Sequence, residues 1–156
     1  NRYVGRTFIM PEQILRRDSV RRKLNPISDE FKDKKVLLVD DSIVRGTTMK
    51  QIVSMCYKAG AKKVSVASAA AEVKFPNVYG IDMAAKKDLI ASSRTNDEIK
   101  EFLGCDHLVY QSLEDMVQSV IELNPNIDGV EKSIFDGNYP TNISTEYLEN
   151  LEKIRG

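Results

Sequence analysis

One stretch in the first third of the chain restricts the possible folds more than any other. Four aliphatic residues, Val36 to Val39, run into two adjacent acids, Asp40 and Asp41, and a short polar turn follows. A continuous apolar run is typical of a strand buried on both faces, as in a parallel sheet flanked by helices. Such sheets bind ligands at the carboxyl ends of their strands, which is where the acids fall. The sequence therefore predicts an α/β fold with a polar site directly after this strand.

The polar turn has the composition of an anion-binding site. It supplies hydroxyls, a guanidinium and backbone N–H groups from Ser42, Arg45, Gly46, Thr47 and Thr48. Glycine permits close backbone approach, and the helix predicted to begin here attracts a phosphate to its N-terminus. A structural helix cap is the simpler explanation of either threonine, although capping and phosphate binding can share one turn. Acids that only solvate the strand end are the corresponding alternative for the acid pair.

Two carboxylates beside a phosphate-binding turn suit a sugar phosphate. The ribose hydroxyls need hydrogen-bond acceptors, and Mg²⁺ on a pyrophosphate needs hard oxygen ligands, so Asp40 and Asp41 can serve both needs. The turn is not a Walker A motif, because the chain has no Gly-x-x-x-x-Gly-Lys sequence. The sequence therefore does not support assignment as a kinase or a nucleoside triphosphatase.

The length and composition of the chain are typical of one domain with a hydrophobic core. The chain has 156 residues and balances 23 basic against 23 acidic side chains, so its charge predicts neither a nucleic-acid nor a membrane partner. No apolar run approaches the length of a membrane span, which is about 18 residues or more. Cys56 and Cys105 form neither a disulfide framework nor a metal-binding spacing, which favours a cytoplasmic setting. Because the first residue is Asn, we expect a processed chain or an excerpt of a longer one.

The basic charge is concentrated at the start of the chain. Residues 1–24 contain seven basic and two acidic side chains, a net charge of +5. No clear helical or strand period runs through this segment, which predicts a mobile arm. A solvated face or a nonspecific polyanion contact is one interpretation, and contact with a leaving pyrophosphate is the other.

The remaining patterns predict alternating strands and helices. We expect strands at 35–40, 63–70 and 107–110, and helices at about 48–59, 84–92, 96–103 and 113–123, followed by a loop over 126–143 and a terminal helix. The spacing of strand, helix and strand predicts right-handed crossovers and parallel pairing.

The acid pair with Gly46-Thr47-Thr48 resembles the phosphoribosyl pyrophosphate (PRPP) loop of type I phosphoribosyltransferases. Longer segments resemble one family of these enzymes, the glutamine PRPP amidotransferases or amidophosphoribosyltransferases. The segments are 3–11, 59–64, 75–83 and 110–115. The similarity runs over nearly the whole chain and is weakest after Asn124. The resemblance implies a partial type I phosphoribosyltransferase fold with C-terminal helices.

The resemblance also implies an activity, the first committed step of purine biosynthesis. Ammonia from glutamine displaces pyrophosphate from PRPP and gives 5-phosphoribosylamine. Asp40 and Asp41 match the acids that contact the ribose and Mg²⁺, and Ser42 through Thr48 match the phosphate-binding loop. Residues 1–24 match a flexible active-site loop, in which Tyr3 and Ile9 match positions lining the ammonia channel. Arg21, Arg22 and Lys23 are our choice for contact with pyrophosphate.

The resemblance implies a partial protein. Residues 25–124 would be an incomplete phosphoribosyltransferase core and 125–156 a C-terminal extension of it. The glutaminase domain that supplies ammonia is missing, so we expect that the chain alone could be inactive. Purine nucleotides are expected as feedback inhibitors, and the full enzyme is expected to be a homo-oligomer. Since residues 130–135 contain no cysteine, we expect no iron–sulfur cluster of the kind some relatives bind.

One alternative function keeps the same loop. A non-catalytic PRPP-binding regulator would retain the acids and the phosphate turn and use the basic arm on nucleic acid. Such a regulator predicts nucleic-acid affinity that falls steeply with salt concentration.

Overall fold

The fold is built on a small parallel sheet. The computed structural model describes residues 27–81 and 83–155, so the predicted flexible loop at 1–24 lies outside the described residues. The strands are β1 (Lys35–Asp40), β2 (Lys63–Ser68) and β3 (His107–Tyr110), and they are hydrogen-bonded in the order β1-β2-β3. The helices are α1 (Ser28–Phe31), α2 (Thr47–Lys58), α3 (Asn96–Leu103), α4 (Leu113–Leu123), α5 (Ser133–Asp136) and α6 (Thr145–Arg155).

The predicted parallel pairing is confirmed. Val36 pairs with Val64 and Leu38 with Val66, and Val66 in turn pairs with Leu108. Because the strands follow one another across the sheet in chain order, two crossovers of the usual right hand would place α2 and α3 on the same face. Consistent with this, one cluster of buried side chains joins these helices to β2 and β3. Its members include Met49, Val53, Cys56, Val64, Val66, Ile99, Leu103 and Leu108.

The prediction that β1 is buried on both faces is wrong. Its residues alternate between exposed and half-buried, and the side chains of Leu37 and Val39 are 63% and 69% exposed. Val109 of β3 is on the same face and is 60% exposed. The apolar run correctly indicated a strand, but α2 and α3 both pack on the opposite face. Among the described residues, the face with Leu37 and Val39 is left largely open.

Local capping signals fixed the helix limits. The sequence from Thr95 to Glu98 has the form of a capping box, and the structure contains one. The Thr95 hydroxyl accepts from the Glu98 N–H at 3.3 Å, and the Glu98 carboxylate accepts from the Thr95 N–H at 2.7 Å. Gly104 ends α3 in the left-handed conformation with φ 72°. Ser112 caps α4 by accepting from the Asp115 N–H at 3.0 Å. The sequence therefore placed both ends of α3 and the start of α4 correctly.

Three expectations about helices need correction. The helix predicted over 84–92 is two separate 3-10 turns, Lys86–Asp88 and Ile90–Ser92. The expected loop over 126–143 contains the short helix α5. The helical spacing of the apolar residues of α4 predicts that one side of it is buried, but no residue of this helix is buried and Val120 is 39% exposed. The apolar residues on this side are Leu113, Met116, Val117, Val120 and Ile121. An amphipathic pattern shows which side avoids water, and here the described residues cover that side only partly.

The last part of the chain packs on the loop after β2. The Asn77 side chain is 2% exposed and its oxygen accepts from the N–H groups of Tyr79 and Ile81 at 2.9 and 3.1 Å. Arg155 of α6 donates to the Asn77 carbonyl at 2.9 Å, and the Tyr139 hydroxyl donates to the Pro76 carbonyl at 2.8 Å. These bonds hold the C-terminal helix against the core. Within the described residues, no helix is long and apolar enough to cross a membrane.

Candidate functional site

The acid pair lies at the carboxyl edge of the sheet, as predicted. Asp40 is the last residue of β1 and pairs with Ser68, the last residue of β2. The carbonyls of Asp40 and Asp41 accept from the N–H groups of Ala69 and Ala70, each at 2.9 Å. The backbone of both acids is therefore fixed by the segment that leaves β2. Asp40 is half-buried and Asp41 is exposed, so both carboxylates remain accessible to a ligand.

Each of the two carboxylates accepts one hydrogen bond from the residue that follows it. One oxygen of Asp40 accepts from the Asp41 N–H at 3.0 Å, and one oxygen of Asp41 accepts from the Ser42 hydroxyl at 3.1 Å. Among residues 27–81 and 83–155, no group of three or more His, Cys, Asp or Glu side chains converges. The described protein thus offers two adjacent carboxylates. Such a donor set suits Mg²⁺, which commonly uses one or two carboxylates and completes its shell with water and substrate phosphates.

The turn after the acids is anchored on its inner side. Ile43 is 2% exposed and belongs to the main core, whereas Val44 packs against a second cluster formed by Val73, Ala84 and Leu89. The hydrophobic residues inside this polar motif therefore have a structural purpose. They tie the turn to two separate groups of buried side chains.

Gly46 gives the turn the form of an open anion site. It is the N-cap residue of α2 and has φ 72° and ψ −12°, a left-handed conformation that glycine adopts without steric cost. Its carbonyl accepts the first helical bond, from the Lys50 N–H at 2.9 Å. No described side chain caps this helix, so the N–H groups of its first turn keep their capacity to bind an anion. Thr47 and Thr48, the first two residues of α2, are half-buried beside these groups.

Residues that the sequence analysis missed support the turn from behind. The Ile90 N–H donates to the Val44 carbonyl at 2.9 Å, and Asp88 forms a 3.6 Å ion pair with Nε of Arg45. A Cβ atom built on Gly46 would lie 2.6 Å from Cδ1 of Ile90 and 3.2 Å from Cε1 of Phe102. No local pattern marks these positions, because each acts through a contact with a distant part of the chain.

A cleft at the carboxyl end of β3 contains the hydroxyl of Tyr110, away from the acid pair. The cleft has a volume of about 410 Å³, and Glu72, Lys74, Tyr110 and Gln111 contribute to its lining. The Tyr110 hydroxyl is buried and has no hydrogen-bond partner among the described residues. Burial, followed by the nearby Glu72 carboxylate, raises the pKa of Tyr110. The phenol is therefore neutral at physiological pH and is not a candidate base.

Five predicted site residues lie outside the described residues. They are the proposed pyrophosphate contacts Arg21, Arg22 and Lys23, and the proposed channel residues Tyr3 and Ile9. The structure thus brings together the acids and the phosphate turn. The roles of these five residues stay predictions.

Curated relatives share one name. The chain is 58% identical over 156 residues to the amidophosphoribosyltransferase of Pasteurella multocida. This alignment covers 99% of the present chain and 31% of the relative. The Escherichia coli amidophosphoribosyltransferase is 57% identical over 156 residues, with 99% of this chain and 31% of the relative covered. The Saccharomyces cerevisiae amidophosphoribosyltransferase is 52% identical over 155 residues, with 99% and 30% covered. No family model matches the chain.

Two solved structures resemble the fold. One is the glutamine PRPP amidotransferase of B. subtilis complexed with ADP and GMP, with a TM-score of 0.71 and 36% identity over 94% of this chain and 32% of that one. The other is described as the allosteric regulatory enzyme of purine biosynthesis, with a TM-score of 0.72 and 36% identity over 97% and 33%. These neighbours establish the type I phosphoribosyltransferase fold for this sheet.

The similarity spans nearly all of this chain but only part of each relative. The chain corresponds to about 31% of the length of the curated relatives. The Asp40-Asp41 pair and the turn that follows it lie inside the matched region, because the match covers 99% of the chain. The chain is thus homologous, over nearly its whole length, to the segment of the amidophosphoribosyltransferases that has the type I phosphoribosyltransferase fold.

Proposed function

We propose that the chain forms the PRPP-binding part of an amidophosphoribosyltransferase of purine biosynthesis. The observation that carries the proposal is the direct succession of two accessible carboxylates and an uncapped helix N-terminus at the carboxyl edge of a parallel sheet. A phosphorylated ribose has hydroxyls at one end and a phosphate at the other. The acids and the turn match these two ends in chemistry and in order.

Each group in the site has a distinct task under this proposal. Asp40 and Asp41 accept hydrogen bonds from the ribose hydroxyls. The N–H groups and hydroxyls of Thr47 and Thr48, with Ser42 and Arg45, hold the 5′-phosphate at the positive end of the α2 dipole. With both ends of the sugar fixed, pyrophosphate leaves the anomeric carbon with the electrons of the C–O bond, the lone pair of ammonia forms the new C–N bond, and the nitrogen releases one proton to solvent. Catalysis then comes from positioning and electrostatics rather than from a protein nucleophile.

Asp40 and Asp41 would also hold Mg²⁺ in the proposed site. When bound, the ion would neutralise charge on the leaving pyrophosphate. The two acids are hard oxygen donors and are not both used up by bonds within the protein, which supports this assignment. An iron–sulfur cluster is not part of the proposal, because residues 130–135 include no cysteine ligand.

The proposal extends to the remaining substrates and to the setting of the enzyme. Arg21, Arg22 and Lys23 would contact pyrophosphate, and Tyr3 and Ile9 would line a path for ammonia made by a glutaminase domain. Purine nucleotides would inhibit by occupying the phosphate turn, and a B. subtilis neighbour is complexed with ADP and GMP. Homo-oligomerisation of the full enzyme and a cytoplasmic location complete the proposal. The free cysteines Cys56 and Cys105 agree with a reducing compartment.

Calorimetric titration with PRPP and Mg²⁺ tests the proposal. We expect PRPP to bind to the 156-residue chain and not to the Asp40→Asn/Asp41→Asn variant. Compared with a carboxylate, an amide side chain is a weaker ligand for Mg²⁺ and a weaker acceptor for the sugar hydroxyls. The Asp29→Asn/Asp128→Asn variant removes the same charge at exposed positions away from the site and should bind like the original chain.

Two results would contradict the proposal. Equal heats of binding in the original chain and in the Asp40→Asn/Asp41→Asn variant would place the ligand elsewhere. A chain that is folded by circular dichroism but releases no heat with PRPP would show that these residues do not suffice for a site.

A further inference from the structure

The phosphate turn has a rigid support that includes one aromatic side chain. Gly46 holds a left-handed conformation at the start of α2, and its open side faces Ile90 of the 3-10 turn together with Phe102 and Leu103 of α3. Ile90 and Leu103 are 1% and 2% exposed and belong to the core. Phe102 is half-buried at the rim of that core. Among the three side chains that support Gly46, Phe102 is therefore the one that is partly exposed to solvent and that contacts charged side chains.

Two cations lie over the ring of Phe102. Nζ of Lys50 is 4.3 Å from the ring centroid, and the guanidinium carbon of Arg94 is 5.5 Å from it. Both distances are within the range of cation–π attraction. Lys50 is also the residue whose N–H donates to the Gly46 carbonyl, so its side chain leaves α2 one turn after the glycine. One ring thus connects the phosphate turn with two positive charges.

We propose that Phe102 is a positioning residue for the phosphate turn. Its edge keeps Gly46 in the conformation that aims the first N–H groups of α2, and its π system holds Lys50 and Arg94 beside the same turn. The proposal rests on the proposed function, because it assumes that the turn binds the 5′-phosphate of a sugar. Phe102 itself does not contact the ligand.

The geometry explains why a ring is needed at this position. A side chain that ended earlier would leave a gap next to Gly46, where only Ile90 and Leu103 would then pack against the turn. An aliphatic side chain of similar volume would fill part of the gap but would not attract the cations. Packing and charge therefore make separable contributions, and substitutions at residue 102 can distinguish them.

The test compares ligands that occupy different ends of the site. Amide NMR titrations of the 156-residue chain would use PRPP with Mg²⁺, ribose 5-phosphate alone, and pyrophosphate with Mg²⁺. In Phe102→Ala, affinity for ribose 5-phosphate and for PRPP should fall about tenfold, equivalent to about 1.4 kcal/mol. Affinity for pyrophosphate with Mg²⁺ should stay unchanged, because Asp40 and Asp41 are at the other end of the site.

Three variants separate positioning from general stability. Phe102→Tyr keeps the ring and should bind ribose 5-phosphate as tightly as the original chain does. Phe102→Leu should lower the affinity for ribose 5-phosphate about threefold, which on a logarithmic scale is half of the tenfold loss expected for Phe102→Ala. Cys56→Ala truncates a buried side chain of the same core and should lower the melting temperature without changing affinity. If Phe102→Ala fails to fold, the comparison of Phe102→Leu with Phe102→Tyr decides the question.

The outcomes distinguish this inference from the proposed function. Unchanged affinity for ribose 5-phosphate in Phe102→Ala and Phe102→Leu would overturn the inference and leave the proposed function intact. Equal losses for ribose 5-phosphate and pyrophosphate, or a similar loss in Cys56→Ala, would also overturn it by showing a purely structural effect. An original chain that is folded and binds none of the ligands would refute both proposals.

Discussion

At the scale of single residues, one carboxylate joins three elements at the amino end of the sheet. Asp106 precedes β3, and its side chain accepts from the Val64 N–H of β2 and from the Tyr57 hydroxyl of α2, each at 2.7 Å. Its own N–H donates to the Val64 carbonyl at 2.8 Å. The Tyr57 hydroxyl, followed by the Val64 N–H, lowers the pKa of Asp106. The ionised carboxylate is therefore the form that the folded state prefers.

This preference predicts a pH-dependent effect of removing the hydroxyl. In Tyr57→Phe the pKa of Asp106 should rise toward its ordinary value of about 3.9. Since a lowered folded-state pKa stabilises only above the unfolded value, the original chain should melt higher than the variant at neutral pH. The difference in melting temperature should shrink as pH falls through about 4 and below. Thermal melts between pH 7 and pH 3 measure it, and a difference independent of pH would count against the bond.

At the scale of elements, α3 is specified by its own ends. The capping box of Thr95 and Glu98 starts the helix, and Gly104 ends it. Between them, Ile99 and Leu103 face the core, which carries Phe102 to the phosphate turn. Correct folding of α3 therefore helps to fix the conformation of the phosphate turn.

Removing the cap should weaken the helix and the turn together. Thr95→Ala leaves the Glu98 N–H without its acceptor and should lower the free energy of unfolding by about 1 kcal/mol. Urea denaturation measures the loss, and Thr95→Ser, which keeps the hydroxyl, is the matched control. A Thr95→Ala chain as stable as Thr95→Ser would mean that the cap contributes nothing to folding.

Comparison of these elements with the sequence shows what local patterns can and cannot reveal. The limits of β1 and α3 follow from a neighbouring apolar run and from capping residues, and both were predicted correctly. The Asp40-Asp41 pair and its turn were recognisable because all the groups are adjacent in the chain. Phe102 and Asp88 were missed, since nothing in their own surroundings shows that the fold carries them to Gly46 and Arg45. Burial of Leu37 was overestimated because hydrophobicity does not identify what covers a face.

At the scale of the whole molecule, the sheet is covered unequally. Its crossovers place α2 and α3 on one side, and the other side exposes Leu37, Val39 and Val109. These exposed apolar side chains lie on one face of the sheet, on the two strands that flank β2, and form a surface that favours association. This surface is a property of the topology, because successive right-handed crossovers in one direction cannot place helices on both faces.

Polar substitution on this face should change association but not stability. We expect Leu37→Thr/Val39→Thr to reduce self-association of the 156-residue chain, with a change in the free energy of unfolding within about 0.5 kcal/mol. Threonine is β-branched, like the valine it replaces at position 39, and it suits a strand at both positions. Sedimentation velocity and chemical denaturation provide the two measurements. The control Leu123→Thr alters a side chain that is 88% exposed on α4, and an equal reduction there would show that no particular face is responsible.

The position of β1 at the edge of the described sheet has a consequence for product chemistry. Among the described strands only β2 lies beside β1, and the backbone of the acids at its end is hydrogen-bonded to the segment that leaves β2. A ribosyl cation formed above Asp40 and Asp41 would meet bulk water before it met scarce ammonia. Left with only this wall, the site would hydrolyse PRPP to ribose 5-phosphate more often than it would aminate it. Under the proposed function, the ratio of these two products would therefore depend on what closes the open side of β1, and not on the residues proposed to bind the sugar.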